Sequence, residues 1–369
     1  MIPLSAPDIT EQEISAVVEV LRGSRLSLGP KLEEFEERFA AYIGVPYAVA
    51  VNSGTSGLHL CVRALGLQSG DEVIVPSFTF IAAANAIRYE GAMPVFVDID
   101  PQTLNLDPAR VEQSITPKTR AILVVHTFGV PADMAALEAI ANRHGLYILE
   151  DACEAVGATY HGRKVGSFGA AGVFAFYPNK QLTTGEGGMV ATRDAKLAER
   201  MRALRNQGRY SSTEWFQHQE VGFNYRLSEV NCALGIEQLK RVEEILAMRQ
   251  EAANRYKQQL HDIAEITLPY QGRDHVHCSW FVYVVRLRRA GVPSLRDSVA
   301  AYLHSVDIGF ARYFAPIHLQ PAYAQWRDTA HLPTTEAVAA TTLALPFFNR
   351  LTSEQVNLVC GALRTALRF

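Results

Sequence analysis

The sequence predicts an α/β protein: a mainly parallel central sheet flanked by helices, with a smaller α+β C-terminal domain. Three observations lead there. Up to about Val190, short apolar runs of strand length alternate with segments whose apolar residues recur at helical spacing. From Glu220 the pattern turns helical and then returns to a beta-rich run followed by further helices. The 369 residues, 48% hydrophobic and 20% charged, can bury a large core and divide into two domains, placed at residues 1–245 and 246–369.

The elements follow in order. "TEQEISAVVEVLRG" opens with a capping box, Thr10 with Glu13, and carries Ile14, Val17, Val18 and Leu21 on one helical face. The runs "YAVAVN", "EVIVP", "PVFVD", "AILVV" and "LYILE" then read as strands, and "ADMAALEAIANRHG" as a helix with Gly145 at its end. Such alternation is the pattern of a parallel sheet covered on both faces. "LSEVNCALGIEQLKRVEEILAMRQEAANRYKQQL" reads as one long helical connection to the smaller domain, and "SWFVYVVRLRR" as a strand within it. Repeats and low-complexity segments are lacking.

Composition excludes several classes of function. The net charge is −3 with no block of like charges, which argues against a nucleic-acid partner. The five cysteines are scattered, with no C-x-x-C pair, so neither a disulfide framework nor a zinc site is expected, and the reducing cytoplasm fits best. No apolar run is long enough to span a bilayer, and "MIPLSAPDITEQE" does not resemble a signal peptide. "HVHC" (His275 to Cys278) lacks the second half of a metal site and reads as a loop, and His59 reads as a packed helix residue. No metal is expected.

In an open parallel sheet, ligands bind beyond the carboxyl ends of the strands. The residues found there are "SGTSG" after "YAVAVN", "SFTF" after "EVIVP", "HTFG" after "AILVV", "DACE" after "LYILE" and "NK" after "GVFAFYP". "SGTSG", with Gly54, Thr55 and Ser56, leads into a helix. It is either an ordinary turn or an anion site in which backbone N–H groups and the helix dipole face a phosphate. Asp151 is either a helix N-cap or a buried carboxylate in need of a cation, such as a protonated pyridine nitrogen. Lys180 stands between an apolar run and a glycine-rich turn, where desolvation favours a neutral, nucleophilic amine. Phosphate cradle, acid and lysine together describe a pyridoxal 5'-phosphate (PLP) site. Phe80 is either a core aromatic or a cover for one face of that ring.

The ordered motifs "RLSLGPKLEEFEERFA", "VNSGTSGLHL", "PSFTFIAAANAI", "VFVDIDPQTLNLD", "ILEDACEAVGA", "FYPNKQLTTGEGGM", "VGFNYRLSEVNCALG" and "APIHLQPAY" cover nearly the whole chain. In them the sequence resembles the DegT/StrS-type nucleotide-sugar aminotransferases, which have the PLP-dependent transferase fold type I of aspartate aminotransferase. The resemblance implies that Lys180 forms the Schiff base and shuttles the proton, and that Asp151 pairs with the pyridine nitrogen. Glu154 falls beside the cofactor, Phe80 on its ring, and Gly54, Thr55 and Ser56 at the phosphate. Asn224 matches a residue that reaches the phosphate of the neighbouring subunit, which implies a homodimer with shared active sites. Glu186, Tyr313 and His318 fall near the sugar. One departure is Ala175, where the family commonly has a phosphate-binding serine. A water or the Ser56 hydroxyl can stand in, since one such bond is worth only about 0.5–1.5 kcal/mol.

The reaction so implied moves an amino group from an amino acid, glutamate, through the pyridoxamine form of the cofactor to a nucleotide-linked keto sugar. The turn Thr183–Gly188 has the T-x-E-G-G form that family members acting at carbon 4 tend to carry, whereas a Y-G-D-x-G form accompanies carbon 3. A 4-keto-6-deoxyhexose is therefore the expected acceptor, in the synthesis of a glycan or antibiotic sugar such as that of a lipopolysaccharide O-antigen. A related sugar dehydratase would have histidine in place of Lys180. A non-catalytic regulator would have lost Lys180 or Asp151.

Overall fold

Each of the five apolar runs before residue 151 is a strand in the computed structural model, which describes residues 1–210, 217–273, 275–288, 295–327 and 329–368. They are β1 (Tyr47–Val51), β2 (Glu72–Pro76), β3 (Met93–Val97), β4 (Thr119–Val125) and β5 (Tyr147–Asp151). A small hairpin of β6 (Thr159–Tyr160) and β7 (Arg163–Lys164) precedes β8 (Ala171–Ala175) and β9 (Gly188–Thr192). The central sheet has seven strands in the order β1-β9-β8-β5-β4-β2-β3. The pairs from β8 to β3 are all parallel, and β9 runs against both of its neighbours.

Helices α1 (Glu11–Arg22) and α2 (Pro30–Ile43) precede the sheet. The crossovers supply α3 (Gly54–Ala64), α4 (Ala82–Tyr89), α5 (Pro108–Gln113) and α6 (Met134–His144), and α7 (Ala195–Leu204) follows β9. Side-chain alternation along β1 assigns the faces. Val49 and Val51 join Leu58, Leu60, Ile87 and Met201 in one core, whereas Ala48 and Ala50 join Phe35, Phe39, Phe174 and Phe176 in another. Burying each such phenylalanine contributes about 1.5–3 kcal/mol. The expected capping box of α1 is present, and α6 ends on Gly145 at φ 63°, as its sequence predicted.

The helical run after Glu220 differs from expectation. It is two helices, α8 (Glu229–Lys240) and α9 (Val242–Leu260), broken at Arg241. The rest of the chain adds β10 (Ile266–Thr267), β11 (Val276–His277), β12 (Tyr283–Leu287), α10 (Leu295–Ser305), α11 (Pro333–Ala339), β13 (Thr342–Leu345) and α12 (Ser353–Ala366). "HVHC", expected as a loop, contributes β11, which pairs with β6 because a backbone partner lies alongside. The expected strand in "SWFVYVVRLRR" is β12, and Arg289 lies outside the described residues. Strands β10, β12 and β13 form an antiparallel sheet whose core includes α9, α10 and α12. Ile2 packs into that same core, and its backbone exchanges hydrogen bonds with Asp307 O (2.9 Å) and Gly309 N (2.8 Å).

Arg241 breaks the helical run and ties the N-terminal segment down. It donates to Asp8 Oδ2 (2.9 Å) and Glu13 Oε1 (2.8 Å), and Arg350 pairs with the other oxygen of Asp8. Glu13 has no exposed surface. Burial pushes its pKa up, but hydrogen bonds from Thr10, Gln238 and Arg241 outweigh that and hold it at about 2. A folded-state pKa below the unfolded value of 4.5 gives a stabilisation present above pH 4.5 and lost as the pH falls towards 2. Glu13→Gln is therefore expected to lower unfolding stability at pH 7 by about 2–3 kcal/mol. In urea titrations the gap to wild type should narrow below pH 4.5, and a gap constant down to pH 3 would contradict the assignment.

Candidate active site

Where β1 ends, Ser53 caps α3 by accepting the Ser56 N–H (3.1 Å), and the helix starts at Gly54 and Thr55. The cradle lies tight against β9. A Cβ on Gly188 would sit 2.7 Å from the Ser53 carbonyl and 2.9 Å from Gly54 N, so only glycine fits there. Gly54 and Thr55 border a cavity of about 440 Å³ that also meets Asp151, Ala175, Lys180 and Glu186. The carboxyl ends of three strands and the turn before β9 thus meet in one space, as the parallel topology requires.

Asp151 and Glu150 are neighbours with opposite duties. Alternation along β5 turns Glu150 away from the cavity. There it accepts the N–H groups of Gly166 (2.6 Å), Phe168 (2.7 Å) and Gly169 (2.8 Å) and pairs with His126 Nε2 at 3.0 Å. Asp151 faces the cavity, where it accepts the Cys153 N–H at 3.1 Å. Burial pushes its pKa up, against the opposing effects of the Cys153 hydrogen bonds and of Lys180 and His126. A cation placed beside it would favour the ionised form.

Lys180 Nζ lies 3.8 Å from Glu154 Oε1 and 3.8 Å from the centre of the Phe281 ring. Glu154 is itself buried and accepts the Phe128 N–H at 2.8 Å. Burial pushes its pKa up while the Lys180 charge pulls it down. These residues fit PLP. A lysine amine, a buried carboxylate awaiting a cation and a helix N-terminus share one cavity, and Phe80 presents a ring that is 61% exposed at its edge. Among the described residues no group of three or more histidine, cysteine or acidic side chains is placed to hold a metal.

Of the other residues singled out in the sequence, Glu186 and Tyr313 line the cavity. Ser56 borders an adjoining cleft instead, with His59, Tyr89 and Tyr225, and its hydroxyl donates to Asn52 Oδ1 (2.7 Å). His318 is fully buried and is not among the residues that line the cavity. Its Nδ1 lies 2.7 Å from Ser77 Oγ, its backbone N–H donates to the same oxygen at 3.1 Å, and its Nε2 faces Glu336 at 3.4 Å. It anchors the segment carrying Tyr313 to the end of β2. Asn224 is exposed and bridges to Asn206, outside the cavity's lining. Thr79 and Cys153 also line it, within the strand-end segments "SFTF" and "DACE", whereas the sequence did not point to Tyr177, Phe281 or Phe314. Tyr177 sits beside the "NK" motif residues, so proximity in sequence could have found it; Phe281 and Phe314 carried no such signal.

The chain matches the DegT/DnrJ/EryC1/StrS aminotransferase family over residues 7–364. It is 43% identical to the GDP-perosamine synthase of Caulobacter vibrioides, over 99% of this chain and 98% of that protein. Among solved structures, DesV of S. venezuelae superposes with a TM-score of 0.89 at 40% identity, covering 97% of this chain and 95% of the other. Spr1654 of Streptococcus pneumoniae, solved in PLP and PMP forms, matches at 28% identity with TM-scores of 0.93 and 0.94, over 100% of this chain and 98% of the other. With its lysine, acid and helix N-terminus gathered at one sheet edge, the chain belongs to the DegT/DnrJ/EryC1/StrS family and is a PLP-dependent sugar aminotransferase of fold type I.

Proposed function

We propose that the enzyme transfers an amino group from glutamate to carbon 4 of a nucleotide-linked 4-keto-6-deoxyhexose, as a cytoplasmic homodimer with shared active sites. The observation that carries the reading is the meeting of Lys180, Asp151 and the α3 N-terminus in one cavity. The acceptor is supported by two relatives named GDP-perosamine synthase, at 43% and 36% identity, whose product bears its amine on carbon 4. The T-x-E-G-G form of the turn before β9 supports it too, and that turn is held in place. Thr184 Oγ1 donates to Glu186 O (2.7 Å), Asn231 Nδ2 donates to Thr184 O (2.5 Å), and the Phe176 N–H donates to Gly187 O (2.9 Å). A turn so braced is a fixed wall against which a sugar can be oriented.

When bound, PLP supplies an electron-withdrawing ring that carries the amino group from donor to acceptor. In this reading Asp151 holds a proton on the pyridine nitrogen through its charge, and the N–H groups of Gly54 and Thr55 receive the phosphate. Phe80 covers one ring face. The amine of Lys180 takes a proton from the donor side and returns it on the acceptor side. Tyr177, Phe281, Tyr313 and Phe314 give the cavity apolar walls that exclude water and suit a 6-deoxy methyl group. Among the described residues no helix is long and apolar enough to cross a membrane. A large domain of residues 1–245 and a small one of 246–369 would meet within α9.

Lys180→Ala is expected to abolish amino transfer while leaving the circular dichroism spectrum unchanged; full turnover in that variant would refute the assignment. Offered matched 3-keto and 4-keto nucleotide sugars, the pyridoxamine form of the enzyme should aminate the 4-keto compound faster, and a preference for the 3-keto sugar would reverse the regiochemistry. Asn224 lies exposed outside the cavity, which suits a reach into a neighbouring subunit. Mixing Lys180→Ala with Asn224→Ala subunits should then restore part of the activity. Proven subunit exchange without recovery would show that each site is built from a single chain.

A further inference from the structure

Beneath the lysine turn lies Arg249 of α9, only 2% exposed. Among the described residues no carboxylate pairs with it, and its Nε has no hydrogen-bond partner. Burial holds its guanidinium down to about 10, so it stays charged at neutral pH. An unpaired buried cation costs stability, so a packing role alone accounts poorly for it. Its hydrogen bonds go to three backbone carbonyls. Nη1 donates to Trp280 O (3.1 Å) and Phe281 O (3.0 Å), and Nη2 donates to Lys180 O (3.1 Å).

The carbonyls of consecutive residues in an extended chain face opposite ways, so one nitrogen does not ordinarily reach both. Trp280 sits at φ 54°, in the left-handed region that bulky residues rarely adopt, and this turns its carbonyl and that of Phe281 towards the same nitrogen. The planar fork of arginine then joins this bend to the lysine turn. The Phe281 ring stands 3.8 Å from Lys180 Nζ. We propose that Arg249 is a positioning residue that holds Lys180 and Phe281 as a pair, so that the amine rests on the ring, within reach of the cavity, whenever it is not bonded to the cofactor.

The role of that pair in catalysis rests on the function proposed above; its geometry does not. The test compares wild type with Arg249→Gln and Arg249→Lys, following acetylation of Lys180 in the cofactor-free proteins by mass spectrometry, with the exposed Lys257 as internal reference. Both variants should acetylate Lys180 faster relative to Lys257, by about threefold or more, because the amine leaves its resting place. In the loaded enzymes kcat should fall by up to about a hundredfold, with the sugar KM within about threefold of wild type and Arg249→Lys the less impaired. A labelling ratio equal to wild type in both, or an unchanged kcat, overturns the proposal even if thermal stability falls. Should neither variant fold, Phe281→Leu decides: faster labelling of Lys180 supports the pair and an unchanged ratio overturns it. A shifted labelling ratio in a protein without transaminase activity would sink the proposed function and leave this inference standing.

Discussion

The site is organised around the burial of Asp151 at the carboxyl end of β5. A carboxylate with so little water must find a proton or a positive partner, and within the protein it has the Cys153 N–H at contact and the more distant Lys180. The cavity in front of it is where a cation must come from. Two strand ends on one side of β5 serve that requirement. β8 leads into the turn that carries Lys180, and β1 leads into the helix whose N-terminus suits an anion.

The second acid of the pair shows how a parallel sheet separates structure from chemistry. Glu150 is as buried as Asp151, yet it has four hydrogen-bond donors, three of them in the segment before β8. It braces the backbone behind the site, while its neighbour is left underbonded in front. A one-residue shift of β5 would exchange the two roles.

The other half of the cavity is held by contacts between the sheet and the C-terminal part of the chain. Phe281, Tyr313 and Phe314 reach the cavity from that part, and each is anchored at a distance. Arg249 grips the carbonyl of Phe281, and His318 and Ile317 bind Ser77 at the end of β2. His318 therefore shapes the site through the path of the backbone. Burial pushes its pKa down, against the raising effect of Glu336, so it stays neutral in the physiological range and Ser77 keeps its partner.

The sequence by itself determined β1 to β5, β8 and β12, the helical alternation between the early strands and the residues at their ends, because period-two and period-3.6 patterns, caps and glycine turns are local properties of the chain. Gly54, Thr55, Asp151 and Lys180 were legible for that reason, Glu154 and Glu186 only through the family resemblance, and all six line one cavity. Tertiary structure alone decided what depends on approach between distant segments. Arg241, at the break between two helices, meets carboxylates more than two hundred residues earlier, β11 exists because β6 lies beside it, and Ile2 completes a core built by the far end of the chain. The same holds for Phe281, Phe314 and Arg249, which carry no local mark. A buried aromatic in a strand run looks alike whether it faces a core or a ligand, and a helix arginine gives no sign in sequence that its charge will be buried against three carbonyls.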